Sequence, residues 1–225
     1  MTPTTPPPVA MQTGHFVARR GYSARVAETS QRARNPWGQG ERLRLEILEA
    51  AARLLSDLGS EEGLTIRGVA RAAGISPASI YQHFNDKSAL VDGLIDYDAG
   101  QLAAVMADAQ TQFPPDAVLD RVRAQMKAYC RFALDSPGHY RLMINNRPTQ
   151  DSRPGPLTPL VQQMIIGFER CEEAGVLLRL PPERAAVVVF VGAHGRVALW
   201  HASQGSPQTE VVLDFVDELI SLVID

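Results

Sequence analysis

The sequence predicts an all-α protein in two helical parts, and three observations carry that expectation. Apolar residues recur at spacings of three and four through most of residues 41–223, the period of helices packed on one side. No run keeps the alternation of a half-buried strand, and VVVFV, the nearest to one, is flanked by helix-forming residues. Residues 64–90, LTIRGVARAAGISPASIYQHFNDKSAL, read as two short helices joined by a tight turn and running into a third. The expected division is a proline-rich and then basic arm over 1–40, a three-helix helix–turn–helix unit over 41–95, and a larger helical part over 96–225.

Composition narrows the function class. An apolar share of 45% and a charged share of 21% belong to an ordinary globular protein, and a net charge of −3 excludes a uniformly basic nucleic-acid binder. The charge is uneven, with about +2 over residues 1–95 and about −5 over the remainder. Cys130 and Cys171 are far apart without metal-ligand spacing, which fits buried thiols in a reducing compartment. The N-terminus lacks an apolar signal core, and the most apolar run, 185–200, is broken by His194 and Arg196. No membrane span is expected, and the location reads as cytoplasmic.

The segment TPTTPPP cannot enter a helix or sheet interior, so the arm is expected to be disordered. Arg19, Arg20, Arg25, Arg32 and Arg34 stand there against the single acid Glu28. They make either a solvated tail or a basic arm along DNA phosphates. Residues 41–58 form an amphipathic helix with Leu48, Ala51, Ala52, Leu55 and Leu58 on its stripe and Gly59 at its end. Arg42 and Arg44 sit in its first turn, the end of a helix that disfavours cations.

Thr65 caps the next helix, Ile66, Val69, Ala70 and Ala73 give it an apolar face, and Gly74 turns the chain. Ser76 caps a helix that opens on Pro77 and is expected to reach Phe84, with Ile80 and Phe84 inward. Asn85 or Asp86 caps the third. So short a helix is unstable alone, but on a rigid support it presents a small polar face. Spacing alone allows two readings: a reading helix for the DNA major groove, or a plain αα-corner inside a bundle.

The residues of this stretch resemble the DNA-binding domain of the tetracycline-repressor (TetR) family of bacterial regulators. The resemblance lies in Thr65-Ile66-Arg67, Val69-Ala70, Ala73-Gly74-Ile75-Ser76, Ile80-Tyr81, His83-Phe84, Lys87 and Leu90. Gly68 departs from the pattern and precludes a capping box. The resemblance, with the geometry, implies that Thr65 and Lys87 hold phosphates, as do Tyr81 and His83 from the reading helix. Arg67, Pro77, Ala78, Ser79 and Gln82 then face the groove, with Gln82 suited to pair with adenine and Ala78 to meet a thymine methyl.

Residues 87–110 read as one long helix shared by both parts. Helices follow over 116–135, 139–145, 157–174, 181–203 and 208–223, with loops at 147–156 and 205–207. The last two carry more apolar surface than one core needs: Val187, Phe190, Val191 and Leu199, then Val211, Phe215, Leu219 and Leu222. Gly192 and Gly195 add places for close approach. This predicts a homodimer through the last two helices, as the resemblance also implies, and with it a near-palindromic operator in double-stranded DNA. Tyr140-Arg141-Leu142-Met143 and His194-Gly195 resemble one subgroup of TetR C-terminal domains.

A small, largely apolar effector of unknown identity is expected among the C-terminal helices. Its candidate contacts are Met126, Tyr129, Phe132 and Met143, together with Met164, Phe168, His194 and Trp200. The plainer reading of the same stripe is core packing. No catalytic constellation stands out, the histidines lack metal spacing, and no cofactor is implied. A ligand-responsive transcription repressor is the expected function, against an all-helical enzyme or small-molecule carrier in which the motif is only a corner.

Overall fold

The structure, a computed structural model, describes residues 39–145, 155–203 and 209–225. The N-terminal arm and the greater part of the loops near 150 and 206 lie outside the described residues. The described chain forms α1 (Gln39–Leu58), α2 (Ile66–Ala73), α3 (Pro77–Tyr81), α4 (Lys87–Gln110), α5 (Val118–Asp135), α6 (Pro137–Asn145), α7 (Thr158–Glu173), α8 (Pro182–Ala202) and α9 (Thr209–Val223). A 3-10 turn, Glu61–Gly63, joins α1 to α2. No strand forms among the described residues.

Capping chemistry sets the helix starts. The Thr65 hydroxyl accepts from Gly68 N at 3.0 Å, Ser76 Oγ accepts from Ser79 N at 3.2 Å, and Asp86 Oδ1 accepts from Ala89 N at 2.8 Å. Gly74 takes φ 67°, the left-handed turn between α2 and α3 that costs glycine least. Gly68 also has a steric reason, since a Cβ there would lie 3.0 Å from Thr65 Oγ1 and 3.2 Å from Leu54 Cδ2.

One boundary differs from expectation in a way that matters. α3 ends at Tyr81, not Phe84, and Gln82 is its C-cap. The amides of His83 and Phe84 both donate to Ile80 O at 2.9 Å, which tightens the last turn and swings Phe84 into the core.

One contiguous apolar cluster runs from Ile47 in α1 to Val223 in α9. The boundary expected after Ile95 falls inside α4, whose Leu90, Leu94 and Ile95 pack in that same cluster with Leu102 and Met106. α5 is the central strut, packed on α4, α6, α7, α8 and α9. The chain end is pinned: Leu178 and Ile224 form a bridge, and Arg179 Nε donates to Asp225 Oδ1 at 3.0 Å.

α8 is long and apolar enough to cross a membrane by length and composition. Its Ala185, Ala186, Val189, Phe190, Ala193 and Val197 are instead buried in the protein core. The opposite face stays open. Val191 is 59% and Leu199 66% exposed, and Leu222 of α9 is 64% exposed. Phe190 and Leu219, expected on that outer surface, pack inward. Gly192 lets α9 close on α8, because a Cβ there would meet Leu219 Cδ2 at 2.8 Å, whereas Gly195 faces open space.

Candidate functional site

The five residues of α3 bury one side chain completely, Ile80, and the turn after it buries Phe84. These two anchors leave Pro77, Ala78, Tyr81 and Gln82 exposed, Tyr81 by 54%, with Ser79 and His83 half-buried. Thr65 and Arg67 at the start of α2, and Lys87 at the start of α4, are exposed as well. All nine residues assigned to DNA thus sit on three consecutive elements with none fully buried. Their chemistry is partly engaged within the chain. Thr65 Oγ1 accepts from Gly68 N, which leaves its proton to donate outward. Lys87 Nζ donates to Glu61 O at 3.2 Å and keeps two further donors. Ser79 Oγ lies 2.9 Å from Ser76 Oγ, so its hydroxyl is shared with the cap.

Support beneath the exposed helix is tight. The Arg44 guanidinium stacks 5.1 Å from the Phe84 ring centre, and Gly93 of α4 lies so close that a Cβ would come 2.8 Å from Phe84 Cε1. Arg44, read from sequence as a cation at the wrong helix end, therefore has a partner inside the fold, and Arg42 pairs with Glu46 at 3.0 Å.

A hydrogen-bonded chain ties α1 to the helices behind it. Asp98 of α4, only 3% exposed, accepts from His139 Nδ1 of α6 at 2.8 Å, and His139 Nε2 lies 2.8 Å from Ser56 Oγ of α1. Ser56 Oγ also lies 3.1 Å from Ala52 O. Burial raises the Asp98 carboxyl above the usual carboxylate range, and the His139 hydrogen bond and charge oppose it. Beside this chain, Arg141 Nη2 donates to Gly59 O at 2.9 Å. None of these residues stood out in the sequence as a group, because 56, 98 and 139 share no periodicity.

Of the eight expected effector contacts, Met126, Tyr129, Met143, Met164 and Phe168 are buried in the core, and Phe132, His194 and Trp200 are half-buried. Tyr129 Oη lies 2.6 Å from His194 Nδ1. Burial lowers the His194 pKa and raises that of Tyr129, so the tyrosine donates to a neutral imidazole. Tyr140 stacks on His201 at 4.8 Å, its phenol pushed up to about 12 by burial. The Cys130 thiol is likewise pushed up to about 12 and Cys171 to about 11, which makes both poor nucleophiles. Among the described residues no group of three His, Cys, Asp or Glu could hold a metal.

Two described cavities lie elsewhere, and none of the eight lines either. An open groove of about 870 Å³ runs between α8 and α9 past Val191, Gly195, Leu199 and Phe215. A smaller cavity of about 320 Å³ lies between α4, α5 and α7, lined by Gln110, Arg121, Gln125, Gly167 and Arg170 among others.

Residues 47–94 match the model of bacterial regulatory proteins of the tetR family, and residues 122–223 match a tetracyclin repressor-like C-terminal domain. The chain belongs to the TetR family. Among solved structures, a protein of unknown function from Rhodococcus sp. RHA1 is 26% identical with a TM-score of 0.68, over 81% of this chain and 96% of that one. SmeT, the repressor of the Stenotrophomonas maltophilia multidrug efflux pump SmeDEF, is 16% identical with a TM-score of 0.62, over 81% of this chain and 90% of that one. A TetR family transcription regulator from Marinobacter aquaeolei VT8 is 20% identical with a TM-score of 0.56, over 83% and 98%.

This TetR-family protein is thus a ligand-responsive transcriptional regulator in fold, and the regulators of its family are non-enzymatic DNA-binding proteins. The αα-corner reading, with an enzyme or carrier attached, falls with it. The seam between the two family matches lies along α4 and the start of α5, the region the hydrogen-bonded chain from Ser56 to Asp98 spans from one side.

Proposed function

We propose that this protein is a repressor that binds a near-palindromic operator as a homodimer and leaves it when a small effector enters the C-terminal helices. The supporting observation is the outward face of α3, with Tyr81 and Gln82 exposed above the buried pair Ile80 and Phe84. Thr65, Lys87, Tyr81 and His83 hold phosphates, and Arg67, Pro77, Ala78, Ser79 and Gln82 meet the groove. One five-residue helix offers few contacts, so affinity comes from two copies, and the exposed Val191, Leu199, Val211 and Leu222 supply the apolar face that joins them. An apolar effector at Met126, Tyr129, Met164 or Phe168 would have to open a packed core, since all four side chains are fully buried.

The effector acts by binding more tightly when the two reading heads are spaced wrongly for adjacent major grooves, with a coupling of about 1–3 kcal/mol. Selection from random-sequence duplexes, followed by anisotropy titration across salt, tests this. A two-fold symmetric site and affinity falling steeply with salt are expected. An affinity that is flat between low and physiological salt overturns it.

A further inference from the structure

We propose that the cavity between α4, α5 and α7 takes a small organic acid that carries a hydrogen-bond donor as well as its carboxylate, and that this acid is the effector. The inference rests on the regulator reading above and adds the chemistry of the molecule that releases DNA.

Size comes first. The cavity measures about 320 Å³, at the small end of ligand pockets, which run from about 300 to 1,000 Å³. Gly167 in its wall lets α7 approach α5 closely, since a Cβ there would lie 3.0 Å from Val122 Cγ2. Charge decides the class. Arg121 and Arg170 line the cavity and no acidic residue does. Neither arginine pairs with a carboxylate among the described residues. Arg121 is already aimed, its Nη1 donating to Phe113 O at 3.0 Å and its Nη2 to Gln110 Oε1 at 3.2 Å. A guanidinium fixed in this way loses little freedom on meeting a carboxylate.

Gln125 supplies the second requirement. It is 2% exposed, its Nε2 donates to Gln110 Oε1 at 3.4 Å, and its Oε1 has no partner. A buried amide oxygen without a donor is a rare condition that a ligand hydroxyl or N–H relieves. A neutral apolar molecule would satisfy neither the guanidinium groups nor this oxygen, and a cation would meet two positive charges. The site also has a path to DNA. Gln110 is the last residue of α4, and Lys87 at the other end follows directly on the reading helix and its turn.

Calorimetry and thermal shift on the full chain test this with 4-hydroxybenzoate, 3-hydroxybutyrate and indole-3-acetate, each beside its neutral primary amide. At least one acid is expected to bind tenfold or more tightly than its amide. Arg170→Gln and Gln125→Met should each weaken that acid tenfold or more, and the acid should lower affinity for the selected duplex. Arg170 is exposed, so its variant keeps the test open even if Gln125→Met unsettles the core. The proposal is overturned if every acid is matched by its amide, if neither variant weakens binding, or if no acid binds up to about 10 mM. DNA binding by the ligand-free protein, measured in parallel, separates the two ideas. Acid binding without DNA binding keeps the site and removes the regulator reading, and DNA binding without acid binding does the reverse.

Discussion

Asp98 shows how much a single buried carboxylate can report. Its folded-state pKa is raised, so the folded protein holds the proton more tightly than the unfolded chain. Its contribution to stability is therefore complete below the ordinary carboxylate value of 3.8 and is lost as pH rises through the raised one. Asp98→Asn keeps an acceptor for His139 and removes the titration. Its unfolding free energy, measured by urea denaturation at several pH values, should gain on the wild type as pH rises across that window. Asp98→Ala leaves the His139 Nδ1 proton buried without an acceptor and should cost about 1–3 kcal/mol. The caps at Thr65, Ser76 and Asp86 were legible from sequence because a cap is a local pattern. The Ser56–His139–Asp98 chain was not, because it joins residues 41 and 83 positions apart.

Among the elements, α3 carries the recognition argument and shows the limit of periodicity. The pattern gave the inward pair Ile80 and Phe84 correctly, but both were placed on one helix, whereas Phe84 reaches the core from the turn beyond it. Hydrophobic spacing says which residues go inside and is silent on whether the backbone stays helical between them. The consequence falls on Gln82, which sits at the helix end, where its amide is free to approach a base edge. Gln82→Ala should erase preference at one operator position per half-site, a discrimination of about 1–3 kcal/mol, in a binding-site selection. Lys87→Ala should weaken all sequences alike and reduce the salt slope by about one per subunit.

At the scale of the molecule, the all-helical fold and the order of its helices were legible, with most ends within a residue or two, because the apolar stripes are long and the punctuation by Gly and Pro is clear. The cavity was not legible, because it is made by the convergence of three helices. The exposed strip on α8 and α9 was legible as an excess of apolar residues over the needs of one core. Leu199→Glu should leave the monomer folded, since that side chain is 66% exposed, and should abolish the dimer in light scattering. Specific DNA affinity should then fall by roughly a thousandfold or more, toward the non-specific level.

The contact between α4 and the turn after α3 has almost no clearance. At Gly93 the space left beside Phe84 is smaller than a methyl group. A rod seated so hard against its neighbour cannot drift toward it without pushing it. Movement of α4 toward that turn would therefore displace Phe84, the anchor beneath the proposed reading helix.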